Sequence, residues 1–119
     1  MRVLICDDEP SIRMLFRTAA ERSGAEVVEA ADGQACVEVA SRQAPDLIIL
    51  DVVMPKRDGW STLPALRRVC PDTTVILTSA NASEELIAQG RLWGASDCVD
   101  KLHLLPMIPQ LVQRAAVRI

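Results

Sequence analysis

Short apolar runs alternate with longer amphipathic stretches along the whole chain. Arg2 to Cys6, Leu47 to Leu50 and Thr74 to Thr78 read as buried strands, while Glu26-Val27-Val28-Glu29-Ala30 alternates like a less buried one. Cys98-Val99 is a short fifth strand. A helix is predicted from near Pro10, with Ile12, Leu15, Phe16, Ala19 and Ala20 on one stripe and Gly24 as its stop. Asp32-Gly33 opens a second helix carrying Ala35, Cys36, Val39 and Ala40, which Ala44-Pro45 ends. Ser61 or Thr62 caps a third, with Pro64 in its first turn. Ser83-Glu84-Glu85 opens a fourth with acids at its positive end, and Gly94 stops it. A last helix begins near Pro106, runs past Pro109 and ends in Arg114 to Ile119.

Strands and helices in strict alternation predict an α/β fold, a parallel sheet covered on both faces. Right-handed crossovers put every strand's C-terminal end on one edge, where open sheets of this kind bind ligands. Asp7, Asp8, Asp51, Ser79 and Lys101 gather there.

At 119 residues, half of them apolar, the chain is long enough for one domain, residues 1–119, with a core that needs no staples. The formal net charge is −3 and the 13 basic residues are dispersed, which argues against direct nucleic-acid binding. No apolar run approaches the roughly 18 residues that would span a bilayer, so no membrane insertion is expected and the reading is cytoplasmic. Cys6, Cys36, Cys70 and Cys98 form no C-x-x-C pair and have only His103 to join them. They read as buried free thiols in a reducing compartment.

The chemistry lies in the acids. Two carboxylates about 4 Å apart repel by roughly 4 kcal/mol near a protein surface, so three at one site call for a cation. Oxygen-only ligands favour Mg²⁺, or Mn²⁺, over zinc. Asp8 and Asp51 would hold the ion directly and Asp7 through water. A carboxylate beside a metal is a nucleophile toward phosphorus, giving an aspartyl phosphate. Lys101 and the hydroxyl of Ser79 or Thr78 would supply the remaining donors.

Asp7-Asp8 after strand one, Asp51 followed by Met54-Pro55 and Asp58-Gly59, Ser79-Ala80 after strand four, and Gly94-Ala95-Ser96-Asp97 leading to Lys101 form an ordered set. This set resembles the response-regulator receiver domains of two-component signalling, over the full chain. The resemblance implies a flavodoxin-like (βα)5 fold with strand order 2-1-3-4-5. It makes Asp51 the phosphoacceptor, Asp7 and Asp8 the Mg²⁺-holding acids, and the Val53 backbone carbonyl a further ligand. Ser79, 22 residues before the lysine, matches the switch hydroxyl better than Thr78. Lys101 would contact the phosphoryl oxygens, and Val53 and Asn81 would flank them.

A histidine kinase or histidine phosphotransfer protein would donate the phosphoryl group. The face around helix four, strand five and helix five would then shift toward a downstream protein target, with a phosphorylation-dependent dimer left open. The implied role is a regulator, at most self-catalysing its phosphorylation and dephosphorylation.

Two positions depart from the family pattern. Cys98 stands where receivers usually carry an aromatic relay, and Leu102 where they tend to carry a proline after the lysine. A trans peptide and a reshaped loop into helix five are expected there. A pseudo-receiver that signals without phosphorylation is the alternative. An aspartate-nucleophile phosphatase is disfavoured, because haloacid-dehalogenase-like enzymes use a second aspartate where Val53 stands. A flavin carrier is disfavoured by the acidic first loop.

The remaining polar residues have simpler readings. Asp58 pairs with Gly59 in a turn, and Asp97, Asp100 and His103 are loop residues. Lys56-Arg57 and Arg67-Arg68 form a solvated face, and Trp60 and Trp93 pack on the sheet or helices. Arg13 and Arg17 are exposed neighbours on a helix that, in the resembling family, meets the phosphodonor.

Overall fold

The computed structural model describes residues 1–54, 58–80 and 83–117. The readings that fall on Pro55, Lys56, Arg57, Asn81, Arg118 and Ile119 lie outside the described residues. The elements run β1 (Arg2–Cys6), α1 (Pro10–Arg22), β2 (Glu26–Ala30), α2 (Gly33–Gln43), β3 (Leu47–Asp51), α3 (Gly59–Val69), β4 (Thr74–Ser79), α4 (Glu84–Leu92), β5 (Asp97–Asp100) and α5 (Lys101–Val117). All strand pairs are parallel and the sheet order is β2-β1-β3-β4-β5. The expected fold and strand order are therefore the observed ones.

Because side chains alternate across a strand, the sheet feeds two cores. Leu4, Cys6, Ile48, Leu50, Val75, Leu77 and Cys98 pack with α2, α3 and α4 on one face. Val3, Ile5, Leu47, Ile49 and Ile76 pack with Phe16 and Ala20 of α1 and Leu104, Ile108, Leu111 and Val112 of α5 on the other. Along α1 the predicted stripe narrows, since Leu15 is half exposed while Phe16 and Ala20 are buried.

Two helices start earlier than the sequence pattern predicts. Asp58 caps α3, its carboxylate accepting from the Ser61 amide at 2.8 Å, so Pro64 sits inside the helix and not in its first turn. α5 starts at Lys101, directly after β5 and five residues before Pro106. There the Asp100 carboxylate accepts from the His103 amide at 2.9 Å and its other oxygen meets the His103 ring. Asp100 thus ends the strand and caps the helix, and His103 lies in the first helical turn. Pro106 and Pro109 are solvent-facing positions within α5. No cis peptide occurs among the described residues, as expected for Leu102, but the expected loop is replaced by helix.

Cys6 and Cys36 are joined in a disulfide, which overturns the reading of four free thiols. Their Cα atoms lie 6.1 Å apart, within bridging range, because the end of β1 packs against α2. A separation of 30 in sequence carries no sign of that approach. Cys70 and Cys98 are buried thiols.

Candidate functional site

Three strand ends converge on the carboxyl edge of the sheet. Asp51 is the last residue of β3, pairs in register with Thr78, and is 3% exposed. Asp7 follows β1 and is 1% exposed, while Asp8 beside it is exposed. One carboxylate oxygen from each of Asp7, Asp8 and Asp51 lies within 4.8 Å of the others. Lys101 brings its ammonium to 2.9 Å from Asp7 Oδ2 and 3.2 Å from Asp51 Oδ2, with Glu9 at 3.7 Å.

Burial raises the Asp51 pKa, and the Asp7 charge adds to that. Lys101 and the Val53 amide, which donates to Asp51 Oδ1 at 3.2 Å, pull against it. For Lys101, burial works against the charged form, but the hydrogen bond to Asp7 and the charges of Asp51 and Asp7 hold the ammonium above its ordinary value. The site thus holds more negative charge than one lysine neutralises. An all-oxygen acidic set, two members nearly dry and one open to solvent, fits a hard, partly hydrated divalent cation such as Mg²⁺.

Asp7 is also fixed through its backbone. Its amide donates to the Ala30 carbonyl at 3.1 Å, its Oδ1 accepts from the Glu9 amide at 2.9 Å, and its carbonyl accepts from Arg13 Nη1 at 2.7 Å. Gly59 fixes the other acid. Its amide donates to the Val52 carbonyl at 2.8 Å, and a Cβ there would lie 2.5 Å from the Asp51 carbonyl oxygen. The start of α3 can lie against the chain leaving Asp51 only because residue 59 has no side chain.

Thr78 and Ser79 end β4, both buried, and neither hydroxyl has a hydrogen-bond partner among the described residues. Val53 is 72% exposed beside Asp51. Cys98 is buried under α4, where a Cβ at Gly90 would lie 3.5 Å from Cys98 Cβ and 3.1 Å from Leu77 Cδ1. The helix therefore occupies the room a large ring would need. Burial, then the Asp97 charge, raises the Cys98 pKa, so this residue stays a neutral thiol.

Several polar residues take up structural roles that spacing alone does not reveal. Arg67 is no solvated helix charge: Nε donates to the Gly94 carbonyl at 2.7 Å and Nη1 to the Thr73 carbonyl, clipping α3 to the loops before β4 and after α4. Burial lowers its pKa. Arg13 and Arg17 share Glu29, and Arg17 also reaches Glu21 at 3.3 Å. Asp97 meets Arg91 at 3.1 Å. Trp60 and Trp93 pack edge to face on each other at 6.2 Å. No helix among the described residues is long and apolar enough to cross a membrane.

Comparison with known proteins agrees with this fold. Residues 3–113 match the model of the response regulator receiver domain. The transcriptional regulatory protein PdtaR of Mycobacterium tuberculosis is 38% identical over 120 residues, covering 95% of this chain and 57% of PdtaR. The chemotaxis protein CheY of Bacillus subtilis is 32% identical over 101 residues, 84% of each chain. The chemotaxis protein CheY4 of Vibrio cholerae superposes with a TM-score of 0.86 at 29% identity, over 96% of this chain and 97% of that one. The chain spans about half the length of several curated relatives it matches. With five parallel strands in the receiver order and a match over nearly its whole length, the chain belongs to the response regulator receiver domain family of two-component systems.

Proposed function

We propose that residues 1–119 act as one phosphorylation-dependent switch in the cytoplasm, with Asp51 as the phosphoacceptor. The observation that carries this is the convergence of Asp7, Asp8 and Asp51 within 4.8 Å, with Lys101 touching two of them. A histidine kinase or histidine phosphotransfer protein is the proposed donor. An Asp51 carboxylate oxygen attacks phosphorus, the bond from phosphorus to the donor nitrogen breaks, and an acyl phosphate remains on Asp51.

Asp8 and Asp51 would hold Mg²⁺, with Asp7 and the Val53 carbonyl completing the set, and the ion would neutralise charge on the phosphoryl oxygens. Lys101, already beside Asp51, is the proposed donor to those oxygens. Ser79 would turn its partnerless hydroxyl to a new acceptor, since phosphorylation roughly doubles the local negative charge and adds strong acceptors. The proposed readout is a change of the α4–β5–α5 face toward a downstream protein.

A second reading, a receiver that signals without phosphorylation, draws on Cys98 packed under Gly90, which leaves no aromatic relay. Incubation with Mg²⁺ and acetyl phosphate separates the two. Intact mass should show one added phosphoryl group, lost on treatment with base or hydroxylamine as an acyl phosphate is, and none in Asp51→Asn. Absence of phosphate in the wild type would leave the second reading standing.

A further inference from the structure

Arg13 lies on α1, outside the acid cluster, yet it is the side chain that holds the Asp7 carbonyl, at 2.7 Å. The other edge of its guanidinium donates to Glu29 of β2 at 3.1 Å, and the Arg13 side chain is 18% exposed. A planar fork held at both edges fixes direction as well as distance. The same turn is also held by the Asp7 amide on the Ala30 carbonyl, by the Glu9 amide on Asp7 Oδ1 and by Lys101 on Asp7 Oδ2 at 2.9 Å, but the Asp7 carbonyl is left to Arg13, and Asp8 is exposed. Arg17 meets the same Glu29, with Glu21 as its other partner, and among the described residues it makes no hydrogen bond to Asp7.

We propose that Arg13, oriented by Glu29, is a positioning residue for the divalent cation: by holding the Asp7 carbonyl it sets the turn that aims Asp7 and Asp8 at Asp51. This rests on the reading of the acid cluster as a Mg²⁺ site. The sign of its effect separates it from simple electrostatics. A cation beside a cation site opposes binding, so deleting its charge would strengthen Mg²⁺ binding if charge were all that mattered. Positioning predicts the reverse, since outer partners of metal ligands commonly change affinity by about 10–100-fold.

The test is Mg²⁺ titration of the whole chain, followed by amide chemical shifts and by the combined fluorescence of Trp60 and Trp93, with urea unfolding of each metal-free variant. Arg13→Met should weaken Mg²⁺ binding about tenfold at the low end of that range. Arg13→Lys, which keeps the charge and one donor, should recover part of the loss. Arg17→Met, which removes a neighbouring charge on Glu29, should stay within about twofold of the wild type. If Arg13→Met binds as well as the wild type or better, or if Arg17→Met loses as much, the positioning role is wrong. If Arg13→Met does not fold, the Arg13→Lys and Arg17→Met comparison decides alone. A wild type that binds no Mg²⁺ removes the metal site itself, and this inference with it.

Discussion

The two sides of the site are built differently. Around β1 and β3 nearly every polar atom is committed: Lys101 to Asp7 and Asp51, Arg13 to the Asp7 carbonyl, the Val53 amide to Asp51, and the Gly59 amide to Val52. Around β4 and β5 the Thr78 and Ser79 hydroxyls are buried without partners among the described residues, and Cys98 meets a glycine. Polar partners are concentrated where charge already exists. The side with unused donors is the one where new phosphoryl oxygens would find them, so rigidity belongs to the acids and freedom to the hydroxyls.

Changes on the acid side should therefore be costly. The largest expected effect is at the disulfide beneath it. Closing a loop of 30 residues stabilises by about 3.5 kcal/mol in the chain-entropy model. Cys36→Ala should lose an amount of that order in urea unfolding without reductant, and added reductant should then change the wild type but not the variant. Equal stability with and without reductant would count against a bond at Cys6–Cys36.

Gly59→Ala should cost about 3 kcal/mol, because its Cβ would meet backbone of Asp51 and Val52 at 2.5 and 2.8 Å and no side chain is there to swing aside. Its amide spectrum should change at Asp51 and Val52. A variant as stable as the wild type would mean that α3 can back away and that the acid side is softer than it looks.

How much of this was legible beforehand follows a physical line. The strands and their order are legible because apolar runs are local signals, and charges at strand ends mark the edge where Asp51, Asp7 and Lys101 lie together. The helix starts at Asp58 and Asp100 are not legible, because a carboxylate beside a turn reads as a loop until its amide partner is seen. The Arg13–Glu29, Arg67–Gly94 and Cys6–Cys36 contacts span 16, 27 and 30 residues, and the Arg13–Asp7 carbonyl bond depends on how a turn folds back on its helix, which no local pattern encodes.

Asp51→Asn tests the same side with the opposite sign. The native Asp51 pKa is raised, so the folded state holds its proton more tightly than the unfolded state, and stability is lost as pH rises through that value. Asparagine removes the loss. Without metal the variant should be more stable than the wild type at neutral pH, and the advantage should shrink as pH falls toward the ordinary carboxylate range, where the wild type too is protonated. An advantage independent of pH would point to packing in place of charge.

Ser79→Ala should do least. Its hydroxyl has no partner among the described residues to lose, so unfolding free energy should stay within about 0.5 kcal/mol of the wild type. A loss well above that would reveal a bond in the resting protein and weaken the contrast between the two sides.

The most direct measurement is the amide spectrum of the wild type and Asp51→Asn with Mg²⁺ and beryllofluoride, a stand-in for the phosphoryl group. The account predicts Asp51-dependent shifts at Asp7, Asp8 and Lys101 that extend through Thr78 and Ser79 into α4. Spectra that do not move, or that move equally when Asp51 is asparagine, would contradict it.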